Sequence, residues 1–214
     1  MKQLLEQYAD LLRTGPHGLM SAGERRRIAG HIEDALAGLP TLLELDVRSF
    51  ADIGSGGGLP GIPLALALPL ATVHLIESQA WKARFLEETV ATLGLNSRVR
   101  VWPERIETAV ALIGRETLDC AICRALAPPA VSAEYLAPLV RPGGALVLWT
   151  TRRAIESSPG LDEVAEQLGL AAPSLVPAPS SLRADAALLV WPKAAPTPER
   201  FPRRLGVAAK RPLA

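Results

Sequence analysis

The stretch of sequence that decides the fold runs from Asp52 to Gly61 and reads Asp-Ile-Gly-Ser-Gly-Gly-Gly-Leu-Pro-Gly. A β-prone run precedes it (Val47 to Ile53) and an apolar segment follows it (Ile62 to Leu68), which predicts a strand-to-helix turn. Glycines in such a turn allow a ligand to lie against the backbone because they have no Cβ atom. The first amides of the following helix then face a polar or anionic group. We therefore expect a nucleotide-like ligand at this turn.

Two glycine patterns overlap here, and they point to different ligands. The dinucleotide fingerprint G-x-G-x-x-G is matched by Gly56, Gly58 and Gly61, and the acidic Glu77 follows near the expected interval. The pattern acid-x-G-x-G-x-G is matched by Asp52, Gly54, Gly56 and Gly58, and it resembles the first motif of class I S-adenosylmethionine (SAM) methyltransferases. A carboxylate at Asp52 suits the ammonium group of SAM and would repel the diphosphate of a dinucleotide.

Composition excludes several classes of protein. The 214 residues have the length of one ordinary domain, and 49% apolar against 21% charged residues excludes a disordered chain. The formal net charge of +1 means that a nucleic-acid site has to be a local patch. Prolines interrupt the apolar run from Leu59 to Ile76, which argues against a membrane span. The segment from Met1 to Glu6 has no signal-peptide core, so we expect a cytoplasmic protein.

The two cysteines are spaced C-x-x-C but lie in an apolar run that is typical of a strand. Residues three apart on a strand point to opposite faces, so Cys120 and Cys123 are predicted to be buried structural thiols. Two cysteines alone do not make a zinc site, and we predict no metal.

The order of predicted elements gives the fold class. Two helical segments come first, from Lys2 to Arg13 and from a capping box at Ser21 to about Leu39. Strands are then predicted at 48–53, 72–77, 98–102, 118–123, 144–150, 172–177 and 185–191, alternating with helices at 61–68, 79–94, 104–114, 129–138 and 161–169. This pattern predicts an α/β, Rossmann-like fold with a mostly parallel seven-stranded sheet and helices on both faces. We divide the chain into a helical extension (1–40), a SAM-binding domain (41–192) and a basic C-terminal tail (193–214).

Further motifs follow the second, third and fourth predicted strands. Glu77 ends the second strand, where a carboxylate can accept both ribose hydroxyls of either candidate ligand. Ile106 and Glu107 follow the third strand, where methyltransferases commonly hold adenine between apolar side chains, and we add Leu59 to this cofactor set. The turn Pro142-Gly143-Gly144 resembles the one that introduces the fifth strand of class I methyltransferases, which argues against a dehydrogenase.

Taken together, these motifs resemble the RsmG (GidB) family of small-subunit ribosomal RNA methyltransferases. The similarity lies in His31 to Leu36, the glycine turn with its Leu59-Pro60-Gly61-Ile62-Pro63 ending, Lys82 to Leu86, Arg105 to Glu107, Cys123 to Ala125, and a basic C-terminal signature. The resemblance implies a class I SAM-dependent fold, conversion of SAM to S-adenosylhomocysteine (SAH), and a 16S rRNA or small ribosomal subunit substrate. We also predict a monomer that does not bind membranes. The chain departs from the family at Gly18-Leu19-Met20 and lacks a lysine after the fifth strand.

By this resemblance the reaction is N7-methylation of one guanosine in the decoding-region loop of 16S rRNA. Guanine N7 has a free lone pair and no proton, so positioning and electrostatics suffice without a nucleophile or general base. Arg124 ends the fourth strand and is our candidate for both catalysis and cofactor binding; the alternative is a salt bridge to Asp119 or to a helix. A small-molecule methyltransferase and a NAD-dependent oxidoreductase remain alternative functions.

Basic residues outside the glycine turn are candidates for RNA binding. The candidates are Arg25, Arg26, Arg27, Arg152, Arg153, Arg200, Arg203, Arg204, Lys210 and Arg211. The five cations of the tail oppose only Glu199, and no core explains their presence.

Overall fold

A single twisted sheet organises the chain in a computed structural model that describes residues 1–213. Its strands lie in the order β3-β2-β1-β4-β5-β7-β6. Their bounds are β1 (Ser49–Ile53), β2 (Thr72–Ile76), β3 (Val99–Trp102), β4 (Leu118–Arg124), β5 (Val140–Thr151), β6 (Ser174–Pro177) and β7 (Ala186–Pro192). All pairings among β1 to β5 are parallel, whereas β7 runs antiparallel to β5 and β6. The predicted seven-stranded, mostly parallel sheet is confirmed.

The sheet separates two apolar cores, because successive side chains of each strand face opposite sides. Phe50, Cys120 and Val147 face one core, and Ala51, Cys123 and Leu148 face the other. The first core is covered by α1 (Lys2–Thr14), α3 (Ile28–Leu36), α4 (Leu39–Glu44), α5 (Gly61–Ala67) and α6 (Ala80–Thr92). The second is covered by α7 (Ile106–Ile113), α8 (Pro129–Leu136) and α10 (Leu161–Leu168). The predicted separation of the two cysteines is confirmed.

The N-terminal extension differs from its prediction in one respect. The capping box forms between Ser21 and Glu24 and starts α2 (Ala22–Arg26). The helix does not continue to Leu39, because Arg27 leaves helical geometry with φ −114° and ψ 21°. A new helix, α3, therefore starts at Ile28 and can turn toward the sheet.

Residues 193–213 pack on the second core and contain a short helix, α11 (Val207–Lys210). Phe201 is 2% exposed, and the Arg115 side chain donates to the carbonyl groups of Thr197, Pro198 and Phe201. The expectation that no core explains the tail's cations is thus wrong for Arg203, which pairs with the fully buried carboxylate of Glu134.

Two short elements complete the described chain. A 3-10 turn (Ala137–Leu139) leads into β5, and α9 (Arg152–Glu156) follows it directly. None of the helices in residues 1–213 has both the length and the apolar composition needed to span a membrane.

Candidate active site

The glycine turn lies at the carboxyl end of β1, where the strand order reverses between β1 and β4. Open α/β sheets bind ligands at such a switch point. Gly54, Gly56 and Gly58 have φ values of +72°, +55° and +95°, a region that side chains disfavour. A Cβ atom on Gly54 would lie 2.7 Å from Leu126, and one on Gly58 would lie 2.6 Å from Ile62. At Gly56 the nearest atom would be 3.9 Å away, so this residue alone of the three has open space beside it.

Asp52 lies beneath the turn and is 1% exposed. Its Oδ2 accepts a hydrogen bond from the Gly61 amide at 3.0 Å, which ties the end of β1 to the first turn of α5. In residues 1–213, its Oδ1 has no hydrogen-bond partner. Burial raises the pKa of this carboxyl group to about 7, against the hydrogen bond from Gly61 and the charge of Arg124, which lower it. One carboxylate oxygen is therefore left for a donor that a ligand could supply.

Glu77 holds the glycine turn from the adjacent strand. It is 5% exposed; its Oε2 accepts from the Gly56 amide at 3.0 Å and its Oε1 from the Gln79 amide at 2.8 Å. Each carboxylate oxygen has a second lone pair, so the same group can also accept hydroxyl donors.

A cavity of about 400 Å³ opens beside the turn, and we name it the glycine-turn cavity. Its lining consists of Ile53, Gly54, Ile76, Ser78, Glu104, Arg105, Ile106, Glu107, Leu126 and Tyr135. Of the residues predicted to bind the cofactor, this lining includes Gly54, Ile106 and Glu107, whereas Asp52, Gly56, Gly58 and Glu77 are not part of it. Leu59 is 8% exposed and belongs to the core on the other face of the sheet, away from this lining.

A second cavity of about 770 Å³, which we name the Arg124 cavity, lies between α3, the end of β4 and the β6–β7 connection. It is lined by Gly23, Glu24, Arg27, His31, Asp34, Arg124, Ala125, Leu182 and Arg183. The Arg124 guanidinium donates to Asp34 at 2.9 Å and more weakly to the His31 carbonyl at 3.4 Å. A salt bridge to a helix, the alternative role for Arg124, is therefore formed, and the guanidinium still lines the cavity.

The two cavities meet at one short segment of backbone. Arg124 lines one cavity and Leu126 lines the other, with Ala125 between them. Ala125 has φ +54°, an uncommon conformation for a residue with a Cβ atom. Left-handed backbone of this kind costs about 1 kcal/mol or more and tends to persist at functional sites.

The sequence that forms these two cavities matches a known protein family. Residues 1–171 match the family described as rRNA small subunit methyltransferase G. The chain belongs to this family. Among curated relatives, the ribosomal RNA small subunit methyltransferase G of Pelotomaculum thermopropionicum is 34% identical over 89% of this chain and 80% of its own length. The protein of the same name from Rubrobacter xylanophilus is 38% identical over 98% of this chain and 83% of its own length.

Solved structures place this chain in the class I SAM-dependent fold. A putative O-methyltransferase from Klebsiella pneumoniae aligns with TM-score 0.62 and 17% identity over 89% of this chain and 90% of that one. An O-methyltransferase from Bacillus cereus in complex with SAH aligns with TM-score 0.62 and 18% identity, covering 89% and 91%. The antiparallel β7 also separates this sheet from the dinucleotide-binding order 3-2-1-4-5-6. The fold of the predicted SAM-dependent enzyme is thereby confirmed.

The predicted RNA-binding residues of the N-terminal half differ in their surroundings. The Arg25 guanidinium donates to four carbonyl groups at the end of α1 and in the loop after it, including those of Leu12, Gly15 and Pro16 at 2.8 to 3.0 Å. Arg25 therefore has a structural role. Arg26 is exposed, and Arg27 is an exposed residue at the Arg124 cavity.

Arg152 and Arg153 are exposed at the start of α9. The Arg152 amide donates to the Asp185 carbonyl at 3.1 Å, which places α9 beside the connection that carries Arg183. Helix α9 therefore lies close to the connection whose Leu182 and Arg183 line the Arg124 cavity.

The predicted residues of the tail form a second group. Arg200, Arg204, Lys210 and Arg211 are exposed, and Arg200 stacks over the Phe201 ring at 4.9 Å. The tail also reaches the glycine-turn cavity, because the Gly206 amide donates to Glu107 at 3.2 Å.

Three residues with roles at the site are not evident from the sequence. Asp34 lies within the segment from His31 to Leu36 that resembles the family, but nothing local marks its carboxylate as a partner for Arg124. Arg183 is the single cation of the connection at 178–185, and no recognisable motif surrounds it. Tyr8 falls on the apolar face of α1, yet its hydroxyl donates to the Gly57 carbonyl at 2.8 Å.

Proposed function

We propose that this chain methylates N7 of a guanosine in the decoding-region loop of 16S rRNA, using SAM and releasing SAH. The observation that carries the proposal is the family match over residues 1–171 on a class I methyltransferase fold. The name shared by its relatives, ribosomal RNA small subunit methyltransferase G, supplies the substrate class. A small-molecule methyltransferase and a NAD-dependent oxidoreductase are not favoured by this match.

The surroundings of the two cysteines support a reaction that needs no covalent intermediate. Attack by cytosine C5 enzymes requires a thiolate, and both cysteines are buried within the sheet. Burial raises the pKa of the Cys123 thiol to about 12, so this thiol stays protonated at neutral pH. N7 of guanine already has its lone pair free, and a site that orients the base is sufficient.

The glycine-turn cavity has the features that a SAM site needs. We infer that Gly54, Gly56 and Gly58 lie against the cofactor, that Glu77 accepts its ribose hydroxyls, and that Ile106 and Glu107 flank its adenine. Asp52 offers its unpartnered oxygen to an ammonium group. When bound, SAM supplies an electrophilic methyl group.

Arg124 lies where acceptor and cofactor would meet, at the segment between the two cavities. We infer that its guanidinium orients the acceptor nucleotide. The RNA surface would then extend from the Arg124 cavity to Arg152 and Arg153, with a second patch on the tail formed by Arg200, Arg204, Lys210 and Arg211. The internal contacts of Arg25 and Arg203 do not support an RNA role for these two residues.

A reaction on ribosomal RNA would take place in the cytoplasm, where ribosomes are assembled. The monomeric state stays a prediction.

The deciding experiment maps N7-methylguanosine in 16S rRNA from cells with and without this protein. We expect one methylated guanosine in the decoding region, lost without the protein and restored when it is supplied. The purified protein should transfer methyl groups from SAM to 16S rRNA or to small subunits from the deficient cells. Methylation at another base, or of a small molecule only, would contradict the proposal.

A further inference from the structure

Asp34 is the centre of a buried ionic cluster at the Arg124 cavity. It belongs to α3 and is 1% exposed. Its Oδ1 accepts from the Ser180 hydroxyl at 3.0 Å and from Arg183 at 2.9 Å. Its Oδ2 accepts from Arg124 at 2.9 Å and from Arg183 at 3.0 Å. One carboxylate thus fixes two guanidinium groups, one at the end of the central strand β4 and one in the β6–β7 connection.

These bonds leave most of the donors of both arginines free for other partners. Each guanidinium has five N–H donors in a rigid plane, and only a minority are used by Asp34. Burial raises the pKa of Asp34, but the bonds and charges of Arg183 and then Arg124 outweigh it and lower that pKa below its ordinary value. The carboxylate is therefore ionised at neutral pH and holds both cations in place.

The charge of the cavity favours an anionic ligand. Its lining carries three arginines, at positions 27, 124 and 183, against the two carboxylates Glu24 and Asp34. Planar guanidinium pairs recognise phosphate oxygens in a bidentate manner, and RNA offers one phosphate for each nucleotide. The remaining lining is small or neutral, with Gly23, Ala125 and Leu182 beside the charged groups.

We propose that the Arg124 cavity binds the target nucleotide through its phosphate, and that Asp34 is the positioning residue that presents Arg124 and Arg183 to that phosphate. This inference rests on the proposed function for the identity of the nucleotide. The left-handed backbone at Ala125 directs the preceding Arg124 into this cavity and the following Leu126 into the other. The nucleotide would therefore be held next to the site of the cofactor.

A purely structural role for Asp34 is the alternative, since it also anchors the β6–β7 connection. The chain offers a matched control in the neighbouring Glu33. The exposed Glu33 side chain accepts hydrogen bonds from Ser181 of the same connection but has no bond to Arg124 or Arg183. Glu33→Gln therefore weakens the anchoring of the connection and leaves the arginine cluster intact.

The first experiment compares Asp34→Asn with Glu33→Gln in methyl transfer to 16S rRNA. For Asp34→Asn we expect kcat/KM to fall about tenfold or more, which is the loss of one charged hydrogen bond, with the larger change in KM for RNA. SAM affinity should stay within about twofold of the wild-type protein. Glu33→Gln should match the wild type in both measurements. Equal RNA kinetics for the two variants would overturn the proposal.

A second variant, Arg183→Gln, tests the same proposal if Asp34→Asn does not fold. It removes one arginine but leaves Asp34 paired with Arg124, so no unpaired carboxylate is buried. We expect the same rise in KM for RNA and unchanged SAM affinity. RNA kinetics equal to those of Glu33→Gln would overturn the proposal by this route as well.

A binding measurement separates failure of this inference from failure of the proposed function. Guanosine 5′-monophosphate, guanosine and inorganic phosphate are titrated into the SAH-loaded wild-type protein and the same variants. We expect the monophosphate to bind more tightly than guanosine or phosphate alone, and to lose that advantage in Asp34→Asn and Arg183→Gln. This result would stand even if 16S rRNA were not the substrate. Equal binding of guanosine and its monophosphate by the wild-type protein would refute the phosphate site.

Discussion

At the scale of single residues, the glycine turn is shaped by contacts from outside the sheet as well as by its own sequence. The Tyr8 hydroxyl bonds the Gly57 carbonyl, and Leu12 and Leu19 pack beside Gly57. The N-terminal extension therefore fixes the backbone on which a cofactor would lie. The glycines of the turn are evident in the sequence, whereas the contacts that Tyr8, Leu12 and Leu19 make with Gly57 are not.

Gly56→Ala tests the glycine turn, with Gly94→Ala as a matched control. Both glycines have left-handed φ values, +55° and +68°, and open space where a Cβ atom would lie, so the backbone strain should be similar at about 1 kcal/mol. Gly94 follows α6 and lines neither the glycine-turn cavity nor the Arg124 cavity. We expect at least a tenfold loss of SAM affinity for Gly56→Ala only, measured by calorimetry. Equal SAM affinities in the two variants would remove Gly56 from the cofactor site.

Asp52 predicts a pH dependence of stability. Its pKa of about 7 in the folded protein lies above the ordinary value of 3.8, so the folded state binds more protons between these pH values. Stability from this group is thus fully present below about pH 4 and is lost as pH rises to about 7. The loss amounts to about 4 kcal/mol when complete.

The measurement is the free energy of unfolding of wild type and Asp52→Asn by denaturant between pH 5 and pH 8. Burial lowers the pKa values of His31 and His74, so these two groups make the free energy of unfolding rise with pH, and they do so equally in both proteins. The difference between the two proteins therefore isolates Asp52. We expect the wild type to lose stability relative to Asp52→Asn as pH rises to about 7, and parallel curves would refute this explanation.

At the scale of helices and strands, local patterns predicted the sheet well because each strand is an apolar run between turn residues. The break between α2 and α3 could not be predicted, since Arg27 is neither glycine nor proline and changes direction only through its backbone angles. The pairing of Asp34 with Arg183 could not be predicted from the sequence either. The two residues are 149 positions apart, and only the folded sheet brings them together.

The opposite orientation of the two cysteines on β4 leads to a prediction about chemistry. A variant with both Cys120→Ser and Cys123→Ser should keep the turnover number of the wild type, at a cost in stability from the two buried hydroxyls. Steady-state methyl transfer and thermal unfolding are the measurements. A covalent adduct between RNA and either sulfur atom would contradict N7 chemistry and favour attack on cytosine.

At the scale of the whole molecule, residues 193–213, the predicted basic tail, pack across the second core, and we name this segment the strap. Composition indicated a basic tail, but the contacts of Arg203 with Glu134 join residues 69 positions apart and leave no local trace. Removing the Arg203 side chain would leave the buried Glu134 carboxylate with the backbone amide of residue 203 but without its cation, a cost of about 3–5 kcal/mol. Deletion of residues 199–214 would therefore test folding before it tests RNA binding.

Neutralising only the exposed cations of the strap is the cleaner test. The variant has glutamine at all four exposed positions, Arg200, Arg204, Lys210 and Arg211. It should bind RNA more weakly than the wild type. The slope of log K against log salt should fall by about 0.7–0.9 for each phosphate that the strap no longer neutralises. SAM affinity should not change. Arg48→Gln is the control, because Arg48 is exposed just before β1, at the end of the sheet opposite the cavities. An unchanged salt slope would place the RNA elsewhere.

The strap also has a consequence for the order in which the protein is made. Residues 193–213 are synthesised after every strand of the sheet. Glu134 is therefore present in the growing chain before Arg203, its ion-pair partner, has been translated. The Gly206 amide that reaches Glu107 arrives equally late. We therefore expect the nascent chain to form its sheet first and to complete the Glu107 side of the cavity only after residue 206 has been translated.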